Sequence, residues 1–226
     1  MTSRIVQVRQ NILKKNDLLA GELRARFERA GVYVVSLVSS PGSGKTTLLE
    51  HTLAALAPTA RVAALVGDLA TDRDADRLKK AGVPVRQITT GTVCHLDASM
   101  VDDALRDWRL EELDFLFVEN VGNLVCPASY DLGEHMRVVL LSVTEGEDKP
   151  LKYPTIFNTA DMALITKIDL ADAVGFERSE VVRNLEELRP GLHVLDVSAR
   201  SGVGMPSWIA RLCAARHSIA SERVRT

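Results

Sequence analysis

The sequence has few aromatic residues, few cysteines and almost no excess of charge. Aromatic residues make up 4% of the 226 residues, which argues against a surface on which nucleic-acid bases stack. The formal net charge of −2 does not suggest nucleic acid or an anionic membrane as a partner. Three cysteines, an odd number, are typical of thiols rather than of a disulfide framework. We therefore expect neither nucleic acid nor a membrane as a partner.

Long apolar segments are missing as well. No apolar run approaches the roughly 20 residues of a transmembrane helix. The first ten residues are polar and mixed in charge, which is unlike a signal peptide. Because 46% of the residues are hydrophobic, the chain can nevertheless bury a full core. These features predict a soluble, cytoplasmic, single-domain protein.

Short apolar runs alternate with stretches of helical spacing along the chain. Most runs are continuously apolar, as in strands that are covered on both faces. This alternation predicts an α/β fold in three layers, with a mostly parallel seven-stranded sheet flanked by helices. The longest irregular stretch expected is 144–154. The seven runs are 32–38, 62–67, 83–88, 114–119, 137–143, 161–166 and 192–197.

The start of the chain has the pattern of an amphipathic helix. Leu19, Leu23 and Phe27 recur at intervals of four among charged residues. We expect this leading helix to pack on the domain that follows it. The expected division is the leading helix at 1–31, the domain at 32–217 and a tail at 218–226.

The stretch SSPGSGKTT almost matches the phosphate-loop pattern G-x-x-x-x-G-K-S/T, with Ser39 in place of the first glycine. Backbone N–H groups of such a loop point inward at a helix N-terminus and bind phosphate. Lys45 supplies a positive charge for the β- and γ-phosphates, and Thr46 a hydroxyl for Mg²⁺. A chance glycine-rich turn is the alternative, but the Lys-Thr pair between strand and helix argues against it. The predicted nucleotide-binding residues of the loop are Pro41, Gly42, Ser43, Gly44, Lys45, Thr46 and Thr47.

Two later segments carry the predicted base specificity. The sequence ITKID resembles the N/T-K-x-D element of GTPases: the carboxylate of Asp169 accepts hydrogen bonds from the guanine N1–H and exocyclic amine, and the stem of Lys167 packs on the ring. Thr166 replaces the more frequent asparagine, which leaves one supporting contact open. Ser198 and Ala199 follow the next strand, where such enzymes make a backbone contact to the guanine oxygen. Together with the phosphate loop, these two segments favour guanine over adenine as the base and a P-loop GTPase as the class of domain.

Acidic residues follow two other strands and are candidate magnesium ligands. Gly122 follows Glu119 at the spacing of the D-x-x-G switch of GTPases, with Glu in place of Asp. Glu119 is expected to hold Mg²⁺, directly or through water, and the N–H of Gly122 to reach the γ-phosphate. Asp68 and Asp72 follow the second strand; which acidic residue orients the attacking water stays open. The predicted magnesium ligands are Thr46, Asp68 and Glu119, and the predicted catalytic residues are Lys45, Asp68, Asp72 and Glu119.

Cysteine and histidine residues lie at the same edge of the predicted sheet. Cys94 and His95 follow the third strand, and Cys126 lies four residues after Gly122. Thiolate and imidazole suit nickel, zinc or copper(I). Three ligands are too few for a closed tetrahedral site, so they imply an open site or one shared across a symmetric dimer. Because Cys126 is close to the switch glycine, we expect metal affinity to depend on the nucleotide state.

Ordinary structural interpretations are preferred for the other candidates. Cys213 lies in the apolar register of a helix and is expected to be a small buried hydrophobic residue. Asp74 and Asp76 are expected to begin a helix. His51, His193 and His217 are expected to lie on the surface. The role of His135 is left open.

Seven stretches together resemble the HypB family, the GTPases that help to insert nickel into nickel–iron hydrogenases. The resemblance extends from Val34 to Trp208. This family writes its phosphate loop as S-S-P-G-S-G-K-T, so Ser39 is the family's ordinary residue there. The resemblance implies a SIMIBI-class P-loop fold, slow hydrolysis of GTP to GDP, and a homodimer favoured by GTP. The stretches are SSPGSGKTTLLE, GDLATDRDADR, TGTVCHLDA, FVENVGNLVCPASYDLGE, LLSVTEGEDKPLKYP, TKIDL and VSARSG.

The resemblance also implies metals and partners. Nickel or zinc is implied at Cys94, His95 and Cys126, and Lys149 is implied to approach guanine across the dimer. The implied partners are a small zinc-containing nickel metallochaperone of the HypA type and the hydrogenase large-subunit precursor. Some members carry an N-terminal cysteine motif or histidine-rich stretch that binds nickel tightly. This sequence has no Cys or His before His51, so a storage role is not expected.

Three other functions are alternatives. A urease-type nickel metallochaperone GTPase is the nearest, but that family has a Cys-Pro-His pattern, whereas Cys94 and His95 are contiguous here and Cys126 precedes a separate proline. A metal-binding regulatory module, in which nucleotide only locks a dimer and hydrolysis is incidental, belongs to a different class. A metabolic kinase would require a pocket for an acceptor substrate.

Overall fold

The computed structural model describes residues 2–69 and 73–223, so Asp72 lies outside the described residues. The strands are β1 (Tyr33–Ser39), β2 (Val62–Asp68), β3 (Val85–Thr89), β4 (Phe115–Glu119), β5 (Met136–Ser142), β6 (Met162–Thr166) and β7 (His193–Val197). The α-helices in these ranges are α1 (Thr2–Ala30), α2 (Lys45–Leu56), α3 (Arg73–Lys79), α4 (Ala98–Ala104), α5 (Lys149–Lys152), α6 (Pro154–Thr159), α7 (Ala171–Val174), α8 (Arg178–Leu188) and α9 (Met205–Arg223).

The strands form one sheet in the order β3-β2-β4-β1-β5-β6-β7, and every neighbouring pair is parallel. This confirms the seven-stranded α/β fold that the alternating pattern predicts. All residues of β1 and β5 are buried, as their continuously apolar character requires. Because strands are added on both sides of β1, the loops that follow β1 and its neighbours open into a crevice at the carboxyl edge. Ligands bind in such crevices.

Helices cover both faces of the sheet. On one face α2 and α9 pack on the strands, and Leu49, Leu53 and Trp208 are fully buried there. The indole N–H of Trp208 donates to Oγ1 of Thr52 at 2.9 Å, which satisfies both polar groups inside this layer. On the other face α1 and α4 pack near β2 and β4, and α6 and α8 pack near β5 and β6. This arrangement leaves the ends of the strands accessible.

The leading helix α1 packs through the stripe that its spacing predicts. Leu23 and Phe27 are buried, Leu19 is half-buried, and Leu18 on the opposite side is 73% exposed. None of the helices in the described ranges combines the length and the apolar character needed to cross a bilayer. At the other end of the chain, α9 continues without a break past residue 217, so the division expected there stays a prediction.

The stretch expected to be irregular at 144–154 contains a short helix. α5 begins at Lys149, with Pro150 in its first turn. Proline suits this position because its fixed φ is helical and its missing N–H is not needed there. A second short helix, α6, begins directly afterwards at Pro154 for the same reason.

We expect Phe27→Ala to lower the free energy of unfolding by about 3–5 kcal/mol, the range for removing a buried phenylalanine side chain. The control Leu18→Ala removes a mostly exposed side chain from the same helix and is expected to change stability by about 0.5 kcal/mol or less. Urea unfolding followed by circular dichroism measures both. Equal effects of the two variants would contradict the described packing of α1.

Candidate nucleotide and metal site

The phosphate loop joins the end of β1 to the start of α2. Gly42 and Gly44 have φ angles of 76° and 95°, which favour glycine and allow the N–H groups of the loop to point inward. Among the described residues other than glycine, only Lys167 has a positive φ, so Ser39 lies in an ordinary backbone region. Its hydroxyl accepts a hydrogen bond from Nζ of Lys45 at 2.8 Å. Ser39 therefore replaces the first glycine without strain and holds the lysine side chain.

A cavity of about 290 Å³ lies beside this loop, at the position expected for the base. The hydroxyl of Thr166 donates to the carbonyl of Ser43 at 2.7 Å, and Nζ of Lys167 donates to the carbonyl of Gly42 at 2.7 Å. Although Thr166 stands where asparagine is more frequent, its side chain thus makes a contact with the phosphate loop. The predicted residues that line this cavity are Ser43, Gly44, Thr47, Lys167, Asp169, Ser198 and Ala199.

A second cavity, of about 540 Å³, adjoins the first at Gly44, Thr47 and Lys167. It covers the inner side of the phosphate loop and the ends of β2 and β4. The two cavities together place predicted base-binding and predicted phosphate-binding residues in one continuous crevice. The predicted residues that line the second cavity are Pro41, Gly42, Gly44, Lys45, Thr46, Thr47, Asp68, Glu119, Gly122 and Lys167.

Glu119 is a buried carboxylate at the floor of the second cavity and is 3% exposed. Its Oε1 accepts a hydrogen bond from Oγ1 of Thr46 at 2.7 Å, and its Oε2 has no hydrogen-bond partner among the described residues. Burial raises the pKa of Glu119 to about 7, although the nearby Lys45 ammonium lowers it. Burial also lowers the pKa of Lys45. A buried carboxylate oxygen without a partner, next to a hydroxyl, fits Mg²⁺, which prefers oxygen ligands.

The other acidic candidates lie at the rim of this cavity. Asp68 ends β2, and its Oδ1 accepts a hydrogen bond from the N–H of Leu69 at 2.6 Å. Asp74 lies in the first turn of α3, as expected, but it also lines the phosphate cavity, and its charge raises the pKa of Glu119. The sequence interpretation of Asp74 as only a helix-start residue was therefore incomplete.

Arg77 was not recognised from the sequence. Its guanidinium donates to Oγ1 of Thr47 at 3.1 Å and to Oε2 of Glu50 at 2.8 Å, and Arg77 lines the phosphate cavity. These bonds join α3 to α2 beside the nucleotide site. The only sequence signal was its position one turn after Asp74, within the charged stretch DRDADR.

Cys94, His95 and Cys126 come together as the sequence predicts, with one ligand atom from each within 4.8 Å of the others. The two Sγ atoms are 3.0 Å apart. The hydrogen bond with Cys94 and burial raise the pKa of Cys126, and burial lowers the pKa of His95. The ring of His95 lies 4.0 Å from that of Tyr130, and its Nδ1 has no partner in the described part of the chain. Two thiols and an imidazole fit nickel or zinc.

The segment from Glu119 to Cys126 connects the two sites. A Cβ atom at Gly122 would lie 2.8 Å from Cα and 2.9 Å from N of Pro41, so only glycine fits against the phosphate loop. Cys126 lies four residues further on, in the cluster of candidate metal ligands. On the other side, a Cβ at Gly67 would lie 2.8 Å from Cγ of Leu96, so the loop that carries His95 packs directly on β2.

Lys149 lies outside both cavities of this chain. Its Nζ is 3.9 Å from Oε2 of Glu145 and 5.2 Å from the centre of the Tyr153 ring. Glu145 in turn accepts a hydrogen bond from the hydroxyl of Ser43, so the loop that carries Lys149 is joined to the phosphate loop.

The remaining histidines and Cys213 have structural surroundings. Nδ1 of His135 accepts a hydrogen bond from the N–H of Val34 at 3.0 Å, and its ring stacks on Tyr33. His135 directly precedes β5, and its side chain thus connects the start of β5 to β1. Cys213 is half-buried against the core on the α2 face. The exposed histidines are His51, His193 and His217.

A fully parallel sheet, a glycine loop that opens a helix, and a crevice at the carboxyl edge define a P-loop nucleotide-binding domain. Residues 33–196 match the family model described as CobW/HypB/UreG, nucleotide-binding domain. The hydrogenase maturation factor HypB of Azotobacter chroococcum is 52% identical over 210 residues, which cover 92% of this chain and 68% of that protein.

Two solved structures share the fold. The crystal structure of HypB from Helicobacter pylori in complex with nickel has a TM-score of 0.85 and 46% identity, covering 90% of this chain and 96% of that one. HypB from Archaeoglobus fulgidus has a TM-score of 0.84 and 35% identity, covering 90% and 99%. The chain belongs to the HypB family, as the resemblance of its motifs indicated, and the expected SIMIBI-class fold is confirmed.

Without nucleotide and Mg²⁺, the stability of the wild type should fall as pH rises from about 4.5 to about 7. The folded chain keeps a proton on Glu119 that the unfolded chain releases, so deprotonation favours unfolding. The contribution of this group is at most about 3 kcal/mol. Glu119→Gln should remove that part of the pH dependence. Urea unfolding in EDTA across this pH range measures it, and identical slopes for wild type and variant would contradict the assignment.

Proposed function

We propose that this chain is a metal-binding GTPase that hydrolyses GTP to GDP and phosphate and thereby drives nickel delivery during maturation of nickel–iron hydrogenase. One observation carries the proposal. A single segment packs on the phosphate loop at Gly122 and supplies Cys126 to the cluster of candidate metal ligands four residues later. A change at the γ-phosphate therefore has a short covalent path to the metal ligands.

In the proposed reaction, the loop N–H groups and Lys45 bind the β- and γ-phosphates and stabilise the charge that develops during transfer to water. Thr46, Glu119 and Asp68 are the residues that would hold Mg²⁺, which supplies positive charge between the phosphates when bound. Asp72, or Asp68 if it is not a magnesium ligand, orients the attacking water. Support for Glu119 comes from its burial, its bond to Thr46 and its unpartnered oxygen.

Guanine is the proposed base. The carboxylate of Asp169 lines the base cavity and can accept bonds from both guanine donors, which adenine does not offer in this pattern. The Lys167 side chain lies across the loop with its ammonium on the Gly42 carbonyl, so its stem is available to the ring. Ser198 and Ala199 close the cavity on the other side.

Nickel is the proposed cargo of the metal site, with zinc as a competing occupant. Cys94, His95 and Cys126 supply a soft to borderline donor set that leaves at least one coordination position open, as transfer requires. The nickel complex of the H. pylori relative supports this choice of metal. We further propose a GTP-dependent homodimer that completes the metal site and brings Lys149 of one protomer to the guanine of its partner.

The proposed partners are a HypA-type nickel metallochaperone, as donor, and the hydrogenase large-subunit precursor, as acceptor. The cytoplasm is the proposed location, because it supplies GTP and keeps the three cysteines reduced. A urease target is the alternative, because the H. pylori protein, 47% identical over 204 residues, is called a hydrogenase/urease maturation factor.

We expect nickel affinity with GDP bound to differ by about tenfold or more from that with a non-hydrolysable GTP analogue bound, a coupling of about 1.4 kcal/mol. The reason is that the γ-phosphate contact at Gly122 repositions Cys126. Competition of the intact chain with a chromophoric chelator measures both affinities, and Cys126→Ala should abolish the difference.

The matched control for that experiment is Cys213→Ala, which removes a thiol from the core side of the sheet and should preserve the difference. Equal nickel affinities of the wild type in both nucleotide states would overturn nucleotide-gated delivery. That result would favour the regulatory module, in which nucleotide controls only assembly.

Asp169→Asn should weaken GTP binding by about tenfold or more, because a bond to a charged acceptor contributes about 1.5–3 kcal/mol and the amide presents a donor to guanine donors. The control Asp172→Asn makes the same change at an exposed position one turn away and should leave the affinity unchanged. Titration with a fluorescent guanine nucleotide measures both. Equal affinities of the two variants would contradict recognition of guanine by Asp169.

A further inference from the structure

Two asparagine side chains join the segment 119–126, called the switch segment below, to the loop that carries Cys94 and His95. Asn120 directly follows β4, is buried, and continues the sheet, because its N–H donates to the carbonyl of Leu37 at 3.0 Å. Its Oδ1 accepts from the N–H of Leu96 at 3.0 Å and from the N–H of Val121 at 2.9 Å. The residue after His95 is therefore anchored to the sheet itself.

Asn123 makes the second connection, on the other side of Gly122. Its Nδ2 donates to the carbonyl of Cys94 at 3.3 Å, and its Oδ1 accepts from the N–H of Val125 at 2.8 Å. One side chain thus binds the backbone of one candidate ligand and the backbone next to the other, Cys126. Asn123 is half-buried, so its side chain is not a required part of the core.

The two asparagines differ in what they are attached to. Asn120 is hydrogen-bonded to β1 and holds the N–H of Leu96, the residue after His95. Asn123 directly follows Gly122, whose backbone touches Pro41 of the phosphate loop with no room for a side chain. A displacement of Gly122 would therefore reach Asn123 before it reached the bonds of Asn123 to the backbone of Cys94 and Val125.

We propose that Asn123 is a positioning residue of the metal site, which sets the spacing of Cys94 and Cys126 according to the state of the switch. The two hydrogen bonds of Asn123, to the Cys94 carbonyl and from the Val125 N–H, form a bridge between the two loops. With this bridge in place, the two Sγ atoms lie 3.0 Å apart and both can bind one ion. When the switch moves, the bond to the Cys94 carbonyl is lost, the two thiols separate and the ion is released. This inference rests on the proposed function and assigns its coupling to one side chain.

The test compares the wild type with Asn123→Ala, Asn123→Asp and the control Asn158→Ala, all as full chains. Asn123→Ala removes both bonds of the bridge. Asn123→Asp keeps the acceptor for Val125 but replaces the donor to Cys94 with a second acceptor. Asn158 is exposed on α6 and lines neither cavity of the nucleotide site. Circular dichroism melting of each variant checks that the chain is folded.

Two readouts are taken. The first is the ratio of nickel affinities with a GTP analogue and with GDP, which should fall from about tenfold in the wild type and Asn158→Ala to less than about threefold in both Asn123 variants. The second is the thiolate-to-metal charge-transfer spectrum of bound cobalt(II), which reports ligand geometry and should change only in the Asn123 variants. A purely structural role would change the melting temperature but neither the ratio nor the spectrum.

The outcomes separate the inference from the proposed function. A wild-type ratio and an unchanged spectrum in folded Asn123→Ala would overturn the positioning role and leave the proposed function standing. A wild type with equal affinities in both states would overturn nucleotide gating; an altered cobalt spectrum in the Asn123 variants would then still support the positioning role, and an unaltered one would overturn it.

Discussion

The contact between Gly122 and Pro41 is the constraint on which the rest of the site depends. The backbone of the segment after β4 touches the phosphate loop so closely that a Cβ atom would lie within 3 Å of main-chain atoms. Such a contact requires glycine and leaves no space for a side chain between the two segments. The sheet makes the contact possible, because β1 and β4 are neighbours in parallel register and their loops leave the same edge together.

The buried charges of the phosphate site are arranged for ligands that bring their own charge. Lys45 and Glu119 are both nearly inaccessible to water, and burial is the largest factor that opposes the charged form of each. The hydroxyls of Ser39 and Thr46 satisfy one group each, but one oxygen of Glu119 has no partner among the described residues. Binding of a cation and phosphates would compensate the unfavourable burial, so this site gives up stability for function.

Features that rest on local chemistry could be predicted from the sequence. A run of β-branched residues, a glycine turn and a Lys-Thr pair define the phosphate loop without knowledge of the fold. Interactions between distant segments were harder to predict. The bonds of Arg77 to α2 depend on how two helices pack. The hydrogen bonds of Asn120 and Asn123 depend on loops that are far apart in the chain. The stretch ENVGN by itself therefore predicted a functional role only for its glutamate and its glycine.

The sequence by itself determined the fold class, the phosphate loop and the identity of the candidate base-recognition and metal-binding residues, because each rests on residue type and short spacing. Only the tertiary structure decided that Cys94 and Cys126, which lie 32 residues apart, approach to 3.0 Å, that Thr166 reaches the phosphate loop, and that Asp74 lines the same cavity as Glu119. These relations depend on strand order, which no local pattern specifies. Strand order decides which loops share an edge of the sheet, and therefore which side chains meet.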